Sequence, residues 1–173
     1  KLAAIVQTVR PDVLLVNEID YEPNAATARL LAEEYFSIAK SGRSPIEYPY
    51  IYAAASNTGI DSGLDLNGNQ TSGEATDAWG YGVYPGQYSM AIFSRFPIDQ
   101  KHIRTFQNYL WSELPAAKRP RDPETQKPYY EDRVWSKLRL SSKNHLDVPI
   151  QIGDATIHLL ASHPTPPVFD GAE

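Results

Sequence analysis

The chain has 173 residues, 42% of them hydrophobic, with a formal net charge of −5; this is enough apolar material to build the core of one domain and argues against disorder throughout. No apolar run approaches the ~18 to 20 residues that a membrane helix needs, so a helical span within this sequence is excluded. There are no cysteines, which excludes disulfides, zinc-thiolate sites and cysteine nucleophiles.

In chain order, Leu2, Ile5, Val6 and Val9 recur at i, i+3, i+4 and i+7 and predict a helix packed through that stripe. Pro11 ends it, and Val13 to Val16 have the length and branching of a buried strand whose far end delivers Glu18 to the rim of its sheet. Pro23-Asn24 opens a second helix reaching about Ser37, with Leu30, Leu31 and Tyr35 among its apolar positions. Strands are expected at 49–55 and at 88–94, the latter stopped by Phe96-Pro97. Two more follow at 134–140 and 148–152, and a tight turn at Gly153-Asp154 joins the last of these to a strand over 156–162. From residue 88 onward the strands arrive without helices between them, which predicts antiparallel pairing and a sandwich flanked by the early helices.

The segments 56–87 and 111–133 are long and irregular, and loops of that length in a domain are usually functional or mobile. In the first, Asp61, Asp65, Asn67 and Asn69 set oxygen side chains at alternate positions, as a Ca²⁺ loop does. Gln70 stands where an EF-hand wants glycine and Thr76 where it wants glutamate, so an ordinary turn-rich loop is the competing reading. The second segment has four prolines and part of a basic stretch. Residues 101–143 hold ten Lys or Arg against five Asp or Glu, a local +5 on a chain of net −5. Lys118-Arg119-Pro120-Arg121, with Lys137 and Arg139 alternating along the expected strand, could attract a phosphorylated substrate; a solvated charged face is the alternative.

Five further residues carry the remaining chemical possibilities. Glu18, at a strand end, can serve as a hard oxygen ligand for Mg²⁺ or Mn²⁺. His163 ends the last strand, before prolines that forbid further pairing. His158, inside that strand, reads as a packed or solvent-face residue rather than a ligand. His145 and Asp147, two apart, fall on one side of an extended segment and could share a ligand or a hydrogen bond, or Asp147 could anchor a turn before Pro149.

Three segments carry a family resemblance: PDVLLVNEID (11–20), GQYSMAIFSRFPI (86–98) and HLDVPIQIGDATIHLLASHPTPPVFDGAE (145–173). In order and spacing they resemble blocks of the endonuclease/exonuclease/phosphatase superfamily, the metal-dependent phosphoesterases that include DNase I. The block SHPTPPVFDG (162–171) resembles that of a bacterial branch, often exported. The resemblance implies a four-layer α/β/β/α sandwich of DNase I-like type with mostly antiparallel sheets. It implies Glu18 as metal ligand, His163 as the histidine contacting the scissile phosphate, and Gln87 near a position that supports that histidine. The family's first strand, its Gly-Asp-x-Asn block and its closing Asp-His pair are not found between Lys1 and Glu173. The expectation is therefore a partial domain over 1–173. The function implied is hydrolysis of a phosphate ester, nucleic acid or small molecule, assisted by Mg²⁺ or Mn²⁺. The alternatives are an inert ligand-binding domain and a Ca²⁺-stabilised extracellular module.

Overall fold

The computed structural model describes residues 1–165; the remainder of the histidine block, 166–171, lies outside the described residues. The organising strand is β3 (Ser89–Ser94), buried at every position. It lies antiparallel between β1 (Val13–Ile19) and β2 (Tyr50–Ala54), giving the order β1-β3-β2. Because side chains alternate across a strand, Ala91 and Phe93 join one core and Met90 and Ile92 another.

The first core is closed by helices. α1 (Leu2–Val9) supplies Ala3 and Val6; α2 (Ala26–Leu31), continued by a π-turn over Ala32–Phe36, supplies Ala28, Ala32 and Phe36. Phe36, Tyr48 and Phe93 meet edge to face with centroids 5.4 to 5.9 Å apart, each pair adding roughly 0.5–1.5 kcal/mol beyond its burial. The Tyr48 hydroxyl donates to the Pro11 carbonyl at 2.8 Å, and burial pushes its pKa up to about 12.

The second core lies between the two sheets. The second sheet has the order β4-β5-β6, from Arg104–Thr105, His145–Ile152 and Ala155–Ser162, all antiparallel. Leu146, Val148, Ile150 and Ala161 pack with Met90 and Ile92 of the first sheet. The protein is thus an α/β fold of helices, sheet and sheet. The outer face of the second sheet is open at Leu160, which is 75% exposed, so three of the four expected layers lie among the described residues.

Three local expectations are corrected. α1 does not pack through Leu2, Ile5 and Val9, which are all exposed; it buries Ala3, Val6 and Gln7. The Gln7 amide donates to the carbonyls of Phe36 and Ile38 and accepts from the Lys40 backbone. That clasp satisfies groups left over at the end of the second helix and holds α1 at an orientation its apolar stripe does not select. In the second helix Leu30 and Tyr35 are likewise exposed, and Ala28, Ala32 and Phe36 are the buried positions. The third correction is the strand expected at 134–140. Asp132–Trp135 is a helical turn, α3, continued by a Leu138 N–H to Val134 carbonyl bond. Trp135 sits against Trp111, ring centroids 5.3 Å apart, and Arg139 makes only an isolated bridge to Leu110. The alternation of Val134, Ser136, Leu138 and Leu140 with larger residues mimics a strand, but among the described residues no neighbouring strand runs alongside it.

Candidate functional site

Glu18 sits on a bulge. β1 pairs regularly with β3 from Val13 to Asn17, then shifts register before Ile19. Glu18, the residue left over, has φ 62°. A non-glycine residue in the left-handed region costs roughly 1–2 kcal/mol, and bulges re-aim a side chain at the edge of pairing. The carboxylate that results is 65% exposed, and its Oε1 lies 3.6 Å from His163 Nε2. β1 and β6 belong to different sheets, so this contact closes one end of the sandwich.

Lys143 completes the group and was not singled out in the sequence. It is only 9% exposed. Burial holds its pKa down, while the Glu18 carboxylate pulls the other way. Burial also lowers the His163 pKa, helped by the Lys143 charge and opposed by Glu18. His163 is therefore neutral near pH 7, and its Nδ1 is buried without a hydrogen-bond partner among the described residues. Beyond His163, Thr165 and Ser142 share a hydroxyl hydrogen bond of 2.8 Å, which ties the segment after the histidine to the one carrying the lysine.

Asn57 holds the floor of this region and is fully buried. Its amide donates to the carbonyls of Gln107 and Ser141, both at 2.7 Å, and its backbone N–H donates to the Lys143 carbonyl. Its side-chain oxygen accepts from Arg139, whose guanidinium lies over the Trp79 ring at 4.9 Å from the centroid. Arg139 is thus brought to the segment that leads to Lys143, not by strand alternation but by this clasp. Lys137 is exposed on the turn after α3 and is not part of it.

The other expected residues are placed elsewhere. The Gln87 side-chain oxygen accepts from the Val83 N–H at 2.8 Å, closing its own loop rather than supporting His163. In the segment Asp61 to Asn69 the oxygens are engaged in turns. Asp65 accepts from the N–H groups of Gly68, Asn69 and Gln70, Asp61 from Gly63, and Asn67 from Asn69. Of the basic cluster, Arg119 pairs with Asp132 and bonds the Tyr130 carbonyl, and Arg121 bonds the Gln126 carbonyl. Asp147 anchors no turn; it lies within β5 and accepts from Arg104 on β4 while bonding His158 Nδ1 on β6. His158 therefore has a defined partner, and Asp147 pairs with it rather than with His145.

Donor chemistry limits what metal the described residues can hold. The exposed Glu18 carboxylate fits one corner of a divalent-cation site. Among the described residues no group of three or more His, Asp or Glu side chains comes together, so Glu18 alone does not make a full coordination sphere. What the group offers is a carboxylate, a neutral histidine and a buried ammonium at one end of a two-sheet sandwich, suited to binding and orienting an anion.

Neither the search of curated proteins nor that of solved structures gave a match. No helix among the described residues is long and apolar enough to cross a membrane. The model of the Endonuclease/Exonuclease/phosphatase family matches residues 1–170, nearly the whole chain, and the protein belongs to that family of hydrolases.

Proposed function

We propose that the protein is a divalent-metal-dependent hydrolase of phosphate esters, and that Glu18, Lys143 and His163 act on the phosphate. The single observation that carries this reading is the meeting of Glu18 and His163 at 3.6 Å across the two sheets, with the buried Lys143 charge felt by both.

Glu18 would be a ligand to Mg²⁺ or Mn²⁺, which when bound neutralises charge developing on the phosphoryl oxygens. Lys143 draws the phosphate in and holds it: an ammonium in a partly desolvated setting attracts an anion more strongly than one in water. Neutral His163 has one N–H to donate to a phosphoryl oxygen, a contact that grows stronger as charge accumulates there. Arg139, stacked on Trp79 and held by Asn57, is a second cation beside the same segment.

The test is hydrolysis of bis-p-nitrophenyl phosphate, p-nitrophenyl phosphate and plasmid DNA, with Mg²⁺, Mn²⁺, Ca²⁺ or EDTA. Cleavage abolished by EDTA and restored by Mg²⁺ or Mn²⁺ is the expected result, and the panel separates diesters, monoesters and DNA. Silence from folded, metal-supplemented protein across the panel would sink the proposal in favour of a binding domain.

A further inference from the structure

The segment from Trp79 to Gln87 is tied to both sides of the site. At one end Gly80 lies so close to the Ser142 carbonyl that a Cβ would sit 1.7 Å from its oxygen, and Ser142 is the neighbour of Lys143. At the other end the Tyr84 hydroxyl donates to Asp20 Oδ2 at 2.7 Å, two residues from Glu18. The Gly86 carbonyl accepts from the Tyr21 N–H at 2.8 Å. Between these ties the backbone meets Gly59, where a Cβ would collide with the Tyr84 carbonyl. A segment fixed at so many points is a rigid element, yet it presents large apolar groups to solvent: Tyr81 is 60% exposed, Val83 73% and Tyr84 46%.

We propose that Tyr81 and Tyr84 form a stacking platform for the base of a single-stranded oligonucleotide whose phosphate lies at Glu18, Lys143 and His163. This rests on the phosphate-ester reading and narrows its substrate class. Aromatic side chains on a fixed backbone beside cations that meet the phosphate, here Lys143 and Arg139, are the recurring means of holding single strands, since every base has a face to stack while a duplex keeps its faces covered. A lipid surface fits less well. The Tyr84 hydroxyl is bound to a carboxylate, so burying that ring in a bilayer would carry Asp20 towards the hydrocarbon at high cost.

The experiment uses the intact protein in EDTA with a short oligothymidylate and an abasic oligomer of equal length and charge, binding being followed by intrinsic fluorescence. Oligothymidylate is expected to bind more tightly. Tyr81→Ala should lose roughly tenfold in affinity for it with no change for the abasic oligomer, while Tyr81→Phe and Tyr84→Phe keep the preference. With Mg²⁺, kcat/KM for the two oligomers should follow the same pattern. Equal affinity for both oligomers, or an equal loss on both in Tyr81→Ala, overturns the platform. So does a preference for phosphatidylcholine vesicles that Tyr81→Ala removes, which assigns the ridge to lipid. Base discrimination without hydrolysis of any ester would remove the phosphate-ester reading and leave the platform standing; hydrolysis without discrimination would do the reverse.

Discussion

His163 Nε2 stands 3.6 Å from Glu18 Oε1, and neither residue reaches that position by continuing its strand. Glu18 is displaced by a bulge with φ 62°, and His163 follows the last paired residue of β6, Ser162, opposite His145. The end of the sandwich is therefore where one strand bulges and another stops pairing, and each yields one polar side chain. Strain of this kind is held in place by the surrounding structure and tends to collect at functional sites.

That strain makes the Glu18 assignment testable on two axes at once. Glu18→Gln should reduce turnover by about 10²-fold or more, in line with loss of a transition-state electrostatic contact, and weaken the dependence on Mg²⁺ or Mn²⁺. Glu18→Gly should be as inactive, yet its stability in a urea melt should be unchanged or raised by up to about 1 kcal/mol, because glycine accepts positive φ without the steric cost. A Glu18→Gly protein that is both destabilised and fully active would refute the functional reading of the bulge.

The depressed His163 pKa fixes the sign of a pH effect. Burial and Lys143 favour the neutral ring in the folded state, so the unfolded chain binds the extra proton first, at its ordinary pKa of about 6.5. Stability is then complete above that value and falls as the pH drops through it towards the lower folded pKa. The carboxylates with lowered pKa values, Asp99, Asp122 and Asp147, lose their contributions only below about 3.8 and do not overlap this window. Melting temperature should decline between pH 7 and 5 in the parent protein and less steeply in His163→Gln. Parallel slopes in the two proteins would show that His163 carries no shift.

Removing the neighbouring cation should reverse part of that shift. Lys143→Met takes away one of the two influences that lower the His163 pKa while keeping the apolar stem in place. The ring pKa, read from its imidazole proton resonances, should rise, and turnover should fall because the phosphate loses its buried ammonium. An unmoved resonance titration would place Lys143 outside the site.

How much of this was legible in the sequence depends on the kind of interaction involved. β1, β3 and the β5–β6 hairpin follow from apolar runs and from the turn at Gly153-Asp154; β3 and most of β5 are buried on both faces, which writes itself into composition, whereas β1 is half-buried over Val13 to Val16 and β6 is mostly exposed. The same turn fixes register: with His145 opposite Ser162, the residues before β5 fall beside His163. Lys143 could have been found by counting back from it. The orientations of α1 and the second helix were not legible. They depend on the Gln7 clasp to Phe36 and Ile38, and a polar contact 29 residues away leaves no periodic trace. Arg139 was singled out for a strand that does not form, and it meets Asn57 and Trp79 through tertiary contacts alone.

Asn57 offers the sharpest test of whether the irregular segment 56–87 supports the site or merely borders it. Asn57→Ala would strand the buried Ser141 carbonyl and the part-buried Gln107 carbonyl and release Arg139. A buried group left without its partner costs about 1–3 kcal/mol, so a total loss near 3 kcal/mol is expected in a denaturant melt. Asn57→Asp is the informative companion. It keeps the volume and an acceptor for Arg139 but has no side-chain N–H to offer the two carbonyls, and it brings a charge into a fully buried position. If Asn57 only packs, both variants should lose stability and retain kcat at temperatures where they remain folded. If it positions the 139–143 segment, kcat should fall in the folded protein as well, because both variants lose the side-chain amide bond that fixes the Ser141 carbonyl, two residues before Lys143. The displacement of about 1 Å that such a loss permits is enough to lower a rate by about 10²-fold.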